Sequence, residues 1–107
     1  MREPGDFGVT VVSETPERAV VRVTGDLDMA TADSFTRSLE DIETSVGLVI
    51  DLSECTFLDS AGVRVITSTL RNDRRVSLVV SDPGIRRILE ITALDTRAEI
   101  LSSPDAV

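Results

Sequence analysis

Apolar and polar residues alternate at the start of the chain, and the pattern gives way to helical spacing three times before its end. Phe7–Ser13 (Phe-Gly-Val-Thr-Val-Val-Ser) is closed by Glu14-Thr15-Pro16-Glu17, and Arg18–Thr24 alternates as Arg-Ala-Val-Val-Arg-Val-Thr. Together they predict two strands paired as a hairpin. Gly25-Asp26-Leu27-Asp28 breaks that alternation. From about Ala30, Phe35, Leu39, Ile42 and Val46 recur at helical spacing, which predicts an amphipathic helix with Thr31 as its N-cap. Leu48–Leu52 is too uniformly apolar for a sheet edge and predicts a strand covered on both faces.

A small polar turn, Asp59-Ser60-Ala61-Gly62, precedes a second helical pattern in Val63, Val65, Ile66, Thr69 and Leu70, predicting a helix from Ser60 to about Asn72. Val76–Ser81 reads as a strand. Asp82-Pro83-Gly84 starts a third helix carrying Ile85, Ile88, Leu89 and Leu94, with Asp82 as cap and Pro83 at the first helical position. Ala98–Leu101 is a short last strand before a polar tail. The order β-β-α-β-α-β-α-β implies an α/β fold with a mixed, mostly parallel sheet, an opening β-hairpin and about three helices. No repeat or linker divides residues 1–107, so they read as one domain, with 1–5 and 103–107 as flexible ends.

Composition removes whole classes of chemistry. There is no histidine and every one of the 11 basic residues is arginine, so neither a Ser-His-Asp unit nor a P-loop lysine can be assembled from this chain. A single cysteine, Cys55, permits no internal disulfide and suits a reducing compartment, and one cysteine without histidine disfavours a zinc site. No cofactor or metal is expected. A net charge of −8 disfavours nucleic acid and favours a partner with a basic surface. No apolar run approaches the ~20 residues that cross a bilayer, and the first residues do not form a secretory signal. The reading is a cytoplasmic protein acting on neither nucleic acid nor membrane.

Three blocks resemble the STAS domains of bacterial anti-sigma factor antagonists. They are Gly25-Asp26-Leu27-Asp28-Met29-Ala30-Thr31, then Ile50-Asp51-Leu52 with Thr56-Phe57-Leu58-Asp59-Ser60-Ala61-Gly62, and finally Arg86–Asp95. The resemblance implies a single STAS-type domain that is a binding module and not an enzyme. It implies that Ser60 is phosphorylated by a partner that is both anti-sigma factor and serine kinase. Phosphorylation breaks the complex, and a serine phosphatase restores it. Where many members carry a second hydroxyl, this chain has Ala61, and Ser102–Val107 reads as the beginning of the family's final helix, that helix being either absent or abbreviated. An alternative within the same fold is a STAS subunit that clamps a transporter ATPase. A third reading, an enzyme using Asp26, Asp28, Asp51 and Asp59, leaves little room for a pocket.

The candidate partner-binding residues are Asp26, Asp28, Thr31, Asp59, Ser60, Ala61, Gly62, Val63 and Arg64. Ser60 reads as the N-cap of its helix, where a phosphate would meet unpaired N–H groups and the positive end of the helix dipole. Phosphorylation is therefore expected to act by local charge, with the loop left in place. Gly62, Val63 and Arg64 are expected to be accessible, Gly62 admitting a partner backbone and Val63 supplying apolar contact. Leu27 is expected in the core, holding an acidic turn at the Ser60 edge, and Cys55 to be a buried inert thiol.

Overall fold

The computed structural model describes residues 7–42, 47–70 and 74–102. In chain order the elements are β1 (Gly8–Glu14), β2 (Arg18–Leu27), α1 (Ala32–Glu40), β3 (Gly47–Leu58), α2 (Ser60–Ser68), β4 (Val76–Val79), α3 (Pro83–Ile91) and β5 (Glu99–Leu101). A 3-10 turn at Leu94–Thr96 links α3 to β5. The ends that read as flexible, the Val46 position of the first helix and the expected end of the second helix at about Asn72 lie outside the described residues.

The sheet follows chain order, β1-β2-β3-β4-β5. β1 runs antiparallel to β2, and the remaining neighbours are parallel. A right-handed crossover that always steps in the same direction returns every helix to the same face. Accordingly Phe35 of α1, Ile66 of α2 and Ile85 and Leu89 of α3 share one core with Val21, Val23, Leu48, Ile50, Leu52 and Leu78. Val20, Val49 and Val79 form a separate cluster, with Leu101 against it. Both Val49 and Asp51 are buried, so β3 is covered on both faces as its apolar run predicts.

Both central strands run further than their patterns suggest. β2 continues through Gly25-Asp26-Leu27, and β3 through Ser53–Leu58. The register shifts between Gly25 and Asp26, where Gly25 adopts a positive φ of 79°, a conformation that costs glycine nothing. Past this irregularity Asp26 pairs with Phe57 and Leu27 with Leu58. Leu27 and Leu58 are both buried, and their burial carries the paired strands on after the alternation ends.

The helix ends divide into expected and unexpected. Asp82 caps α3 by accepting from Ile85 N–H at 3.0 Å, with Pro83 next. Thr31 stands at the N-cap position of α1 but makes no side-chain cap. Its hydroxyl instead accepts from Asp28 N–H at 2.9 Å and donates to the Asp26 carbonyl at 2.8 Å, fixing the turn before the helix. Leu94 is buried as expected but not as part of α3. The chain first passes Ala93 in the left-handed region, φ 62°, and Leu94 reaches the core from the 3-10 turn.

Phe35 is the largest side chain α1 buries, with no exposed surface. Phe35→Ala should cost about 3–5 kcal/mol, the range for emptying a buried phenyl site. Chemical denaturation with an unchanged m-value is the check, and a loss under ~1 kcal/mol would show that α1 is anchored elsewhere.

Candidate functional site

The candidate residues come together at the sheet end where β2 and β3 finish side by side. Leu27 closes β2, Leu58 closes β3, and Asp59 N–H donates to the Leu27 carbonyl at 3.3 Å. The acidic turn after β2 and the Ser60 turn after β3 therefore share one edge, as the sequence predicts.

Asp59, and not Ser60, caps α2. Its Oδ1 accepts from Ala61 N–H at 2.9 Å and from Gly62 N–H at 3.1 Å, and its main-chain carbonyl accepts from Val63 N–H at 3.0 Å. Ser60 is moved to the first helical position, where it is exposed and its hydroxyl caps nothing. Aspartate and serine are nearly equal as caps, so sequence preference could not choose between neighbours. The anion site expected for a phosphate is thus already filled by a carboxylate of the protein. Asp59 also reaches across the edge, its Oδ2 accepting from Met29 N–H at 3.2 Å.

Asp26 and Asp28 are half-buried and held. Asp26 Oδ1 accepts from the Thr56 hydroxyl at 2.6 Å, and Asp28 Oδ1 accepts from Ala30 N–H at 3.0 Å and from the Thr31 hydroxyl at 3.3 Å. Asp51 is not part of this group. It lies buried on the other sheet face, accepting from Arg22 Nε at 3.2 Å and from Ser53 N–H at 2.9 Å. Among the described residues, no three acidic or cysteine side chains converge as metal ligands.

Gly62 differs from expectation. It is buried, and a Cβ there would lie 2.6 Å from the Leu27 carbonyl oxygen and 2.6 Å from Leu58 Cδ1. Glycine is required because α2 rests directly on the strand ends, so no partner backbone reaches it. Val63 and Ala61 are half-buried against the core, leaving Ser60 and Arg64 exposed on this turn. The apolar surface at this edge comes from Met29, 82% exposed, and Phe57, 50% exposed. Neither belongs to a periodic stripe, and a large apolar residue flanking an acidic turn was the only sequence signal for them. An open groove of about 360 Å³ runs on between α1 and α2, lined by Ala32, Asp33, Thr36, Ala61, Arg64 and Val65 among others.

Cys55 is buried beneath this edge, its thiol donating to the Phe57 carbonyl at 3.2 Å. Burial pushes its pKa up, which suppresses the reactive thiolate.

The model of the STAS domain family matches residues 10–105. The chain belongs to the STAS domain family. Among solved structures it is similar to an anti-sigma factor antagonist from Mycobacterium paratuberculosis, with 27% identity and a TM-score of 0.86 over 99% of this chain and 94% of that one. It also shares its fold with SpoIIAA in the unphosphorylated form, at 20% identity and a TM-score of 0.73 over 94% of this chain and 92% of that one. The phosphorylated form of SpoIIAA, from Bacillus, matches at 20% identity and a TM-score of 0.66 over 94% of this chain and 96% of that one. The STAS assignment and the mixed, mostly parallel five-stranded sheet with its opening hairpin agree with the sequence-based expectation.

Gly62→Ala should destabilise this STAS domain by about 1–3 kcal/mol, because the added methyl meets backbone that cannot turn aside. A thermal midpoint within ~2 °C of wild type would mean that α2 shifts freely over the strand ends.

Proposed function

We propose that this chain is an anti-sigma factor antagonist whose binding is switched off by phosphorylation of Ser60. The observation that carries the reading is the setting of Ser60: an exposed hydroxyl at the first helical position of α2, at the same edge as Asp26 and Asp28. The similarity to an anti-sigma factor antagonist across 99% of the chain supports the same reading. In the unphosphorylated state the edge formed by Asp26, Asp28, Asp59, Ser60 and Arg64 binds an anti-sigma factor that is also a serine kinase. Met29 and Phe57 add the apolar part of the contact.

Phosphoryl transfer moves the γ-phosphoryl group of ATP, held by the kinase, onto Ser60 Oγ. The products are ADP and a proton, and this chain needs no cofactor of its own. The new group brings about −1.5 to −2 charges onto an edge that is already acidic. Binding to a partner that accepts the acidic edge through arginine or lysine then fails for lack of room and matching hydrogen bonds. Hydrolysis of the phosphoserine by a serine phosphatase returns the binding form. The requirement for ATP places the cycle in the cytoplasm, and the sigma factor freed by the unphosphorylated form is the route to transcription. Gly62 belongs to this surface only indirectly, as the residue that seats α2.

Incubation with a candidate anti-sigma kinase and ATP should add one phosphoryl group, located by mass spectrometry at Ser60. Ser60→Ala should retain binding and resist modification. A stable complex in which Ser60 is never modified would favour the clamp for a transporter ATPase.

The acidic turn should also set the rate of encounter. Asparagine at positions 26 and 28 keeps side-chain size and one acceptor oxygen at the end of β2 and in the turn that follows, while removing both charges. The doubly substituted protein should associate with a basic partner several-fold more slowly at low ionic strength. The difference should fade near ~0.5 M salt, where screening shortens to about 4 Å. Equal rates at low salt would reduce these carboxylates to turn-forming residues.

A further inference from the structure

Asp59 serves two elements with one carboxylate. Oδ1 holds the first turn of α2 through Ala61 and Gly62, while Oδ2 holds Met29 N–H in the connection between β2 and α1. Among the described residues, the other hydrogen bonds of that connection run within it, to the end of β2 and to the first turn of α1. The Asp28 carbonyl accepts from Thr31 and Ala32 N–H, and the Thr31 hydroxyl binds Asp26 and Asp28. The Met29 side chain is 82% exposed, the most exposed of the large apolar side chains among the described residues. Its backbone is linked to α2 by the Asp59 bond.

We propose that Asp59 is a positioning residue, a latch that holds Met29 on the Ser60 edge, and that a phosphate on Ser60 opens it. The surface so presented is an apolar anchor, Met29, beside the carboxylates of Asp28 and Asp59, with Phe57 exposed near the end of β3. It fits a protein partner with an apolar socket rimmed by arginine or lysine. The opening step rests on the reading of Ser60 as the phosphorylated residue. Phosphoserine at the first helical position stands next to Asp59 in sequence and offers acceptor oxygens to the same N–H groups. Two anions contest one helix terminus, and the phosphate carries the larger charge. The Asp59 carboxylate turns away, Met29 loses its acceptor, and the partner loses a fixed anchor in addition to meeting a new charge.

Asp59→Asn separates the two arms of the latch. Asparagine is as good a cap as aspartate and still accepts from Ala61 and Gly62 through one oxygen, but it presents an NH2 where Met29 N–H needs an acceptor. Solvent exchange of backbone amides, followed by NMR on the full chain, should show Met29 exchanging about five- to tenfold faster in Asp59→Asn, as expected when a bond of ~1 kcal/mol is lost. Ala61 and Gly62 should stay within about twofold of wild type, a pattern that general loosening of the fold would not produce. Phosphoserine placed at position 60 by genetic encoding, without any kinase, should speed Met29 exchange to a similar degree.

Unchanged Met29 exchange in Asp59→Asn would overturn the latch. Unchanged exchange with encoded phosphoserine would overturn its opening by phosphate, while phosphorylation by a kinase and release of the partner would stand on their own measurements. Faster Met29 exchange with encoded phosphoserine, in a protein that no anti-sigma kinase modifies, would uphold the latch and remove the proposed switch.

Discussion

The close seating of α2 on the end of β2 is the constraint on which the functional edge depends. Leu27 is fully buried, its carbonyl accepts from Asp59 N–H, and Gly62 lies so near that a single methyl would overlap it. This contact fixes how far α2 stands from the sheet and brings the turn after β2 against the turn after β3. The helix start then needs a partner for its first N–H groups, and Asp59 supplies one with a carboxylate that also reaches Met29. The position of Ser60 follows from these contacts. With the cap one residue earlier, the serine is left exposed and without a structural task.

Much of the framework is written locally and was legible for that reason. The hairpin of β1 and β2, the covered strand at Leu48–Leu52 and the Asp82-Pro83 start of α3 each rest on neighbours in sequence. The edge of the molecule is different. That β2 and β3 run on to Leu27 and Leu58 is decided by pairing between strands about thirty residues apart, past an irregularity that only glycine adopts easily. The sequence pattern shows Gly25 as a break, and the sheet uses it to continue.

The site was legible to the level of which residues gather there, and less so in what each one does. Asp26, Asp28, Asp59 and Ser60 do share an edge, as the strand order implies. Their roles turn on single hydrogen bonds that no periodicity encodes. Thr31 fastens the turn and not the helix, Asp59 takes the cap from Ser60, and Gly62 is packed under the surface and not displayed on it. Val63 illustrates the same limit. Its place after a polar turn suggested exposure, yet the rotation of α2 set by Val65 and Ile66 turns it against the core. Met29 and Phe57, outside any repeating pattern, carry the exposed apolar surface instead.

A helix terminus that is already capped responds to a new charge differently from an empty one. An empty terminus would take up a phosphate as a stabilising ligand, and the modification would tighten the fold it marks. Here a carboxylate occupies that place, and it also connects two loops. Added negative charge must therefore either be borne beside Asp59 or displace it, and both outcomes raise the free energy of the edge relative to the rest of the domain. The core beneath, with Leu27, Leu58 and Ile66 buried, takes no part in that competition. The division has a physical origin: the larger of the two apolar clusters lies on the helix-covered face, while the polar contacts that phosphorylation would contest lie at the open ends of the strands. The contacts of the core and the polar contacts of the edge thus belong to different groups of atoms, joined at Leu27 and Gly62.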